Sequence, residues 1–372
     1  MKSEIKTTLS IGLIVALLLV SFGCLQNNEN NQDQPIQLVR RGGQQMVDSL
    51  SEGSISAFIG WEPYNAQAVV NNDAKILMNS SEIWNHHPCC VVAYDSNWYQ
   101  EVGEEKADNI LKRYLWAHVK ATEWVHEAKS SNSDNHKRLI DISESYTKRS
   151  EDVVEFGLGN VDYDYKLDKE GVNTYISKLR EYGLFQEGKW NQAGFESAED
   201  YTDNLIQEKY LKWAIEHKNS SAEEIKELTG GSDYSIEVGI LVEDLHEVAF
   251  MAARDLGLFE EVGLNVKIPD EAPYDNGANE MLSGFKENDI DIGNLGIAPA
   301  SIHRINSNNF DTNDTKINVI SAINYNGSAI VVNDEINSLR DLQGKTMAYP
   351  GEGTVQMFLT YMAAEKANIS VR

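Results

Sequence analysis

Where a strand gives way to a helix through glycine, free backbone amides can meet an anion, and the run from Tyr349 to Thr354 has that composition. Pro350 ends the strand, Gly351 and Gly353 let the backbone approach a ligand closely, and Thr354 supplies a hydroxyl at the helix start. The same residues would also serve as a plain N-cap. Residues 296–301, Gly-Ile-Ala-Pro-Ala-Ser, repeat the device, with Pro299 opening the helix and Ser301 able to donate. Trp61 stands at the end of an apolar run and Glu62 begins the next turn. Trp61 is either core packing or a large apolar wall. Glu62 is either a charge favourable to a helix N-terminus or a carboxylate that favours a ligand also bearing an amine, such as an aminosulfonate.

His86, His87, Cys89 and Cys90 stand close together in the chain. Two adjacent histidines and two adjacent cysteines do not easily all point at one ion, and no second ligand cluster at metal spacing follows, so no metal site is expected. Adjacent cysteines rarely bridge each other, because the peptide between them is strained. The pair is expected to be buried and free in a strand.

The chain has 372 residues, 41% of them hydrophobic and 24% charged, which describes a folded protein of about two domains or one two-lobed domain. A formal charge of -26 argues against nucleic acid as a partner, since binding a phosphate backbone needs clustered Lys and Arg. It does not forbid a small anion held by local amides.

Lys2 and Lys6 precede an apolar stretch from Ile11 to Val20, which reads as an export signal over residues 1–24, short for a bilayer span. Residues 21–24, Ser-Phe-Gly-Cys, resemble a lipoprotein lipobox, with Ser21 where that pattern prefers leucine. The resemblance implies lipidation of Cys24. The polar residues of 25–35 read as a flexible tether.

Hydrophobic periodicity predicts strands at 35–41, 55–61, 74–80 and 89–95, with helices at 43–53, 62–72 and 105–128. Along the last of these, Ile110, Leu111, Tyr114, Leu115, Val119 and Val125 form a core-facing stripe, leaving His118 and His126 at the surface or boundary. Residues 134–210 read as mainly helical, and 218–235, polar and closed by a glycine pair, as a linker holding at most one helical turn. A second series alternates strands at 235–242, 264–269, 289–296, 317–325, 328–333 and 345–350 with helices at 246–263, 276–288, 299–307, 338–344 and 354–368. Such alternation predicts parallel α/β sheets with ligands at the strands' C-terminal ends.

Residues 249–268, 281–300, 326–332 and 339–359 resemble, in order, blocks from the N-terminal half of the nitrate, sulfonate and taurine type of solute-binding protein of ABC importers. Residues 45–69, 77–94 and the helix at 107–127 are similar to the blocks that normally follow. The two halves therefore stand in reverse order: 36–217 resembles the family's C-terminal half and 236–372 its N-terminal half, with 218–235 between them. A circular permutation, truncation of a longer tandem protein, or exchange of halves between two chains would each produce this order. The resemblance implies a two-lobed, periplasmic-binding-protein-like (type II) α/β fold that closes over a small anionic or zwitterionic ligand. It also implies an ABC permease as partner, no cofactor, no catalysis, and an exported location, lipid-anchored at the outer face of the cytoplasmic membrane. It places His246 in the first strand-to-helix turn facing the pocket, Ser328 at the start of a crossing strand, and His86 to Cys90 on the return crossing. A ligand sensor, a remnant of a tandem protein, and a thiamine-pyrimidine-synthase-like enzyme, whose cysteine cluster this sequence lacks, are the alternatives.

Overall fold

The computed structural model describes residues 34–131, 133–269, 278–306 and 316–372. The residues expected to form an export signal, Cys24, most of those expected to form a tether, and the outer ends of the helices expected at 276–288 and 299–307 lie outside the described residues.

The β-branched and aromatic runs form strands where alternation predicts them, and one further short strand, β5, interrupts the stretch expected to be mainly helical at 134–210. Among the described residues these are β1 (Gln37–Arg40), β2 (Ala57–Trp61), β3 (Lys75–Asn79), β4 (Pro88–Asp95), β5 (Val161–Tyr163), β6 (Tyr234–Gly239), β7 (Leu264–Lys267), β8 (Ile292–Gly296), β9 (Ile317–Asn326), β10 (Ser328–Val332) and β11 (Thr346–Tyr349). They build two sheets, one ordered β1-β11-β2-β10-β3 and the other β5-β9-β4-β8-β6-β7. Neither is wholly parallel, contrary to the expectation from strand and helix alternation. β10 runs antiparallel to β2 and β3, and β4 antiparallel to β8 and β9. Both strands reach their sheet from the other sheet and not by a crossover that returns to the same one, so the constraint that makes βαβ units parallel does not act on them.

The chain passes between the sheets twice. β9 passes directly into β10 at Asn326 and Gly327, with φ of 58° and 85°. Glycine relieves the second of these, and asparagine tolerates the first better than most side chains. The return, residues 80–87, carries the short helix Ser80–Ile83 and then Trp84, His86 and His87.

The helix Glu104–Ser130 buries the expected stripe, but on a wider face than its apolar residues mark. His118 is 3% exposed, with Nε2 2.9 Å from the Ala322 carbonyl, and His126 bonds the Tyr163 carbonyl, so neither is a plain surface residue. Arg113 is fully buried as well. Its guanidinium donates to the Thr229 hydroxyl and to the carbonyls of Lys226, Thr229, Ser232 and Gly263, with Tyr234 stacked 4.6 Å away. Those acceptors belong largely to the 218–235 segment, which holds the helix Ala222–Leu228, capped by Ser221 and anchored by buried Ile225. The polar composition of that segment concealed an element that is clamped onto the long helix.

Candidate functional site

His246 lies in the turn after β6. Asp244 caps a single 3-10 turn, Leu245–Glu247: its Oδ1 accepts the His246 backbone N–H at 2.8 Å and also lies 2.8 Å from the ring Nδ1. That carboxylate fixes the imidazole's orientation. Burial opposes a charge on His246, yet Asp244, with Cys89 and Glu62 nearby, outweighs it and raises the imidazole to about 10. The ring is 1% exposed and its Nε2 has no hydrogen-bond partner. Only a glycine fits opposite, since a Cβ on Gly327 would stand 2.2 Å from that nitrogen.

Glu62 meets the same place from the other sheet. It is fully buried, and its carboxylate accepts the Asn160 amide at 2.8 Å and the Ala66 N–H at 3.0 Å. Burial pushes its carboxyl up, the hydrogen bonds opposing. Its N–H donates to the Gly327 carbonyl at 3.2 Å and its carbonyl accepts the Leu245 N–H at 3.1 Å, so main chain from both sheets is joined beside the crossing. Glu247, also buried, accepts from Asn294 at 2.6 Å and from the Leu241 N–H, and burial raises it to about 8.

Trp61 is half-buried, edge-on to Tyr64 at 5.1 Å, and stands opposite Ser328 in the β2–β10 register. The buried Ser328 hydroxyl accepts from Gln356 at 3.1 Å. Gln356 stands just inside the helix Val355–Ala367, which Thr354 caps by accepting the Met357 N–H at 3.2 Å while donating to the Gly351 carbonyl at 2.8 Å. Gly351 and Gly353 have φ of 137° and 76°. Pro299 and Val355 both flank Gly296, which brings the two glycine-led helix starts together. Ser301 points inward, its hydroxyl spent on the Ile297 carbonyl at 2.7 Å. Glu62, His246 and Ser328 thus gather around Gly327, and Gln356 links them to the helix start at Thr354.

The second crossing supplies groups that residue spacing did not assign to this place. His87 is buried, its Nδ1 3.1 Å from the Pro88 carbonyl and its Nε2 without a partner, and burial lowers it to about 4. Cys89 and Cys90 are buried and free, as expected, but their sulfurs are 3.9 Å apart on one side of the strand. Successive strand residues ordinarily face opposite ways. Here the β4–β9 register slips between Pro88 and Cys90 and again between Cys90 and Val91, a bulge that re-aims the side chains. Both thiols and a ring nitrogen of His246 lie within 4.8 Å of one another. The family resemblance had put His246 in the pocket-facing turn and His86 to Cys90 on the return crossing; Asp244, two residues before His246 and of a type that caps such turns, was a further signal that went unread.

Comparison with known proteins gives two family matches. Residues 21–142 match the model described as NMT1-like family, and residues 246–370 the one described as NMT1/THI5 like. The nitrate/nitrite binding protein NrtA of Nostoc sp. is 25% identical over 36% of this chain and 29% of its own length. The nitrate import ATP-binding protein NrtC of Synechocystis sp. is 26% identical over 45% of this chain and 24% of its own. The matched regions thus span less than a third of either relative. No solved structure matches the chain. The matches support a nitrate/sulfonate-type solute-binding family and point to a binding protein and not to an enzyme, although the NMT1/THI5 name is shared with an enzyme branch. The mixed α/β fold in two sheets fits a two-lobed binding protein. Among the described residues, no helix is long and apolar enough to cross a membrane.

Proposed function

We propose that the chain is an exported solute-binding protein that hands a small oxyanion or sulfonate to an ABC permease, with His246 as the charged contact to the ligand. One observation carries the reading. A buried imidazole, held by Asp244 on one nitrogen, keeps its other nitrogen without a partner at the point where the chain crosses between two sheets. A cation so placed favours an anion as the missing partner. Ser328 retains a hydroxyl proton to donate, and the amides at the Gly351–Thr354 helix start supply further positive potential. Both Glu62 oxygens already accept hydrogen bonds, which favours a simple anion over one bearing an amine.

Strand order supports a type II fold with its halves permuted. In one sheet the consecutive strands β6, β7 and β8 lie in the order β7-β6-β8, followed by the crossing strand β4. The other sheet reads β1-β11-β2, followed by the crossing strand β10. It repeats the first pattern if β1 and β2 are counted after β11. Residues 36–38 and 370–372 also lie side by side, with Ile36 N–H on the Ser370 carbonyl at 2.9 Å. Attachment through Cys24 to the outer face of the cytoplasmic membrane completes the proposal; Cys24→Ser should release the protein from membranes or leave it unprocessed.

Titration calorimetry of the full chain against nitrate, sulfate, bicarbonate, taurine and simple alkanesulfonates tests the reading. His246→Gln should weaken the best ligand by roughly ten- to a hundredfold, the usual value of a hydrogen bond to a charged group. Glu62→Gln should leave a simple anion's affinity unchanged. Equal affinity in wild type and His246→Gln would remove the imidazole from the site.

A further inference from the structure

We propose that Cys89, Cys90 and His246 form a binding site for a thiophilic divalent metal ion of the zinc class. The three donors come from two elements far apart in sequence and are buried together, with their ligand atoms within 4.8 Å of one another. A tetrahedral zinc ion with two sulfurs and one nitrogen needs donors about 3.5 to 3.8 Å apart. The 3.9 Å between the thiols is close to that spacing already. Asp244 on the Nδ1 side of His246 provides the carboxylate–histidine pairing that orients metal-bound imidazoles and leaves Nε2 for the ion. The bulge in β4 gives both thiols the same facing, a distortion that burial alone does not require.

Charge selects the valence. Two thiolates offset a divalent ion, whereas a monovalent one would leave net negative charge buried beside Asp244. Binding displaces one proton from each thiol, and a third from Nε2 where the imidazole is protonated; all pass to solvent, and no electron moves. Three protein ligands leave a fourth position open, and because the ion takes the same His246 Nε2 that would contact an anion, metal and anion exclude each other at that nitrogen.

Cobalt(II) and zinc(II) titrations of the reduced full chain, with no oxyanion present, test the proposal independently of anion transport. One equivalent of cobalt should give sulfur-to-metal charge-transfer absorption in the near ultraviolet, which the many surface carboxylates cannot produce, and zinc should displace it. Cys89→Ser and Cys90→Ser should each weaken that band and the zinc affinity, and the double variant should abolish the band. Asp244→Asn keeps the capping oxygen and should weaken zinc affinity by about 10- to 100-fold while the band survives. A thermal melt of each variant without metal separates loss of binding from loss of fold. Cobalt spectra showing oxygen ligands only, or unchanged zinc affinity in both folded cysteine variants, would overturn the site. If cobalt binds but no oxyanion does, the metal site stands and the transport reading fails.

Discussion

Gly327→Ala should be among the most damaging single-methyl additions in the chain, and the structure separates the cost into two parts. The residue has φ of 85°, a conformation that costs an L side chain about 1 to 2 kcal/mol. The added carbon would also stand 2.2 Å from His246 Nε2, inside any real contact distance, and 3.2 Å from Val161. Relieving such overpacking typically costs about 1 to 3 kcal/mol more, giving about 2 to 5 kcal/mol in all. Gly53→Ala is the control: its φ is 71° and nothing lies within 4 Å of the new carbon, so only the backbone part applies. Urea unfolding followed by tryptophan fluorescence reads both as shifts in midpoint at constant slope. In a His246→Ala background the imidazole's share of the contact cost should vanish and only the 3.2 Å approach to Val161 should remain, so the excess of Gly327→Ala over Gly53→Ala should shrink by a coupling within the usual range for touching residues. Equal cost for the two glycine variants in the wild-type background would refute the claim that the crossing and the imidazole are packed against each other.

Thr354→Ala should lower stability by about 1 kcal/mol through loss of the cap on the Met357 N–H, measured by the same denaturation. Arg113→Lys should cost about 3 kcal/mol, because an ammonium cannot reach the carbonyl and hydroxyl acceptors that the guanidinium spans, and limited proteolysis should then cut near the helix Ala222–Leu228 first. Asp95 is 1% exposed, and burial raises its carboxyl from 3.8 to about 6. The native state therefore holds a proton that the unfolded chain releases, so stability from this group is present below about pH 4 and declines as pH rises through 6. Asp95→Asn, whose Oδ1 can still accept the Lys316 N–H, should remove that decline and raise the melting temperature at pH 7 relative to pH 4.

Much of the architecture is local and was therefore legible. Alternation set the strands, apolar spacing set the long helix, and glycine with threonine marked the helix start at Thr354, since each depends on neighbours within a few residues. Other features depend on contacts that no local pattern encodes. The polar 218–235 segment is ordered because Arg113, over a hundred residues away, needs its carbonyls. β4 and β10 run antiparallel because each enters from the opposite sheet. The cysteines offer the sharpest contrast: period-two alternation places Cys89 and Cys90 on opposite faces, and the slip in register against β9 turns both toward His246. Residue types and their order were determined by the sequence alone. Which side chains share the buried space at Gly327 was decided by strand pairing between distant segments, where cross-strand hydrogen bonds and burial outweigh the local geometry of either strand.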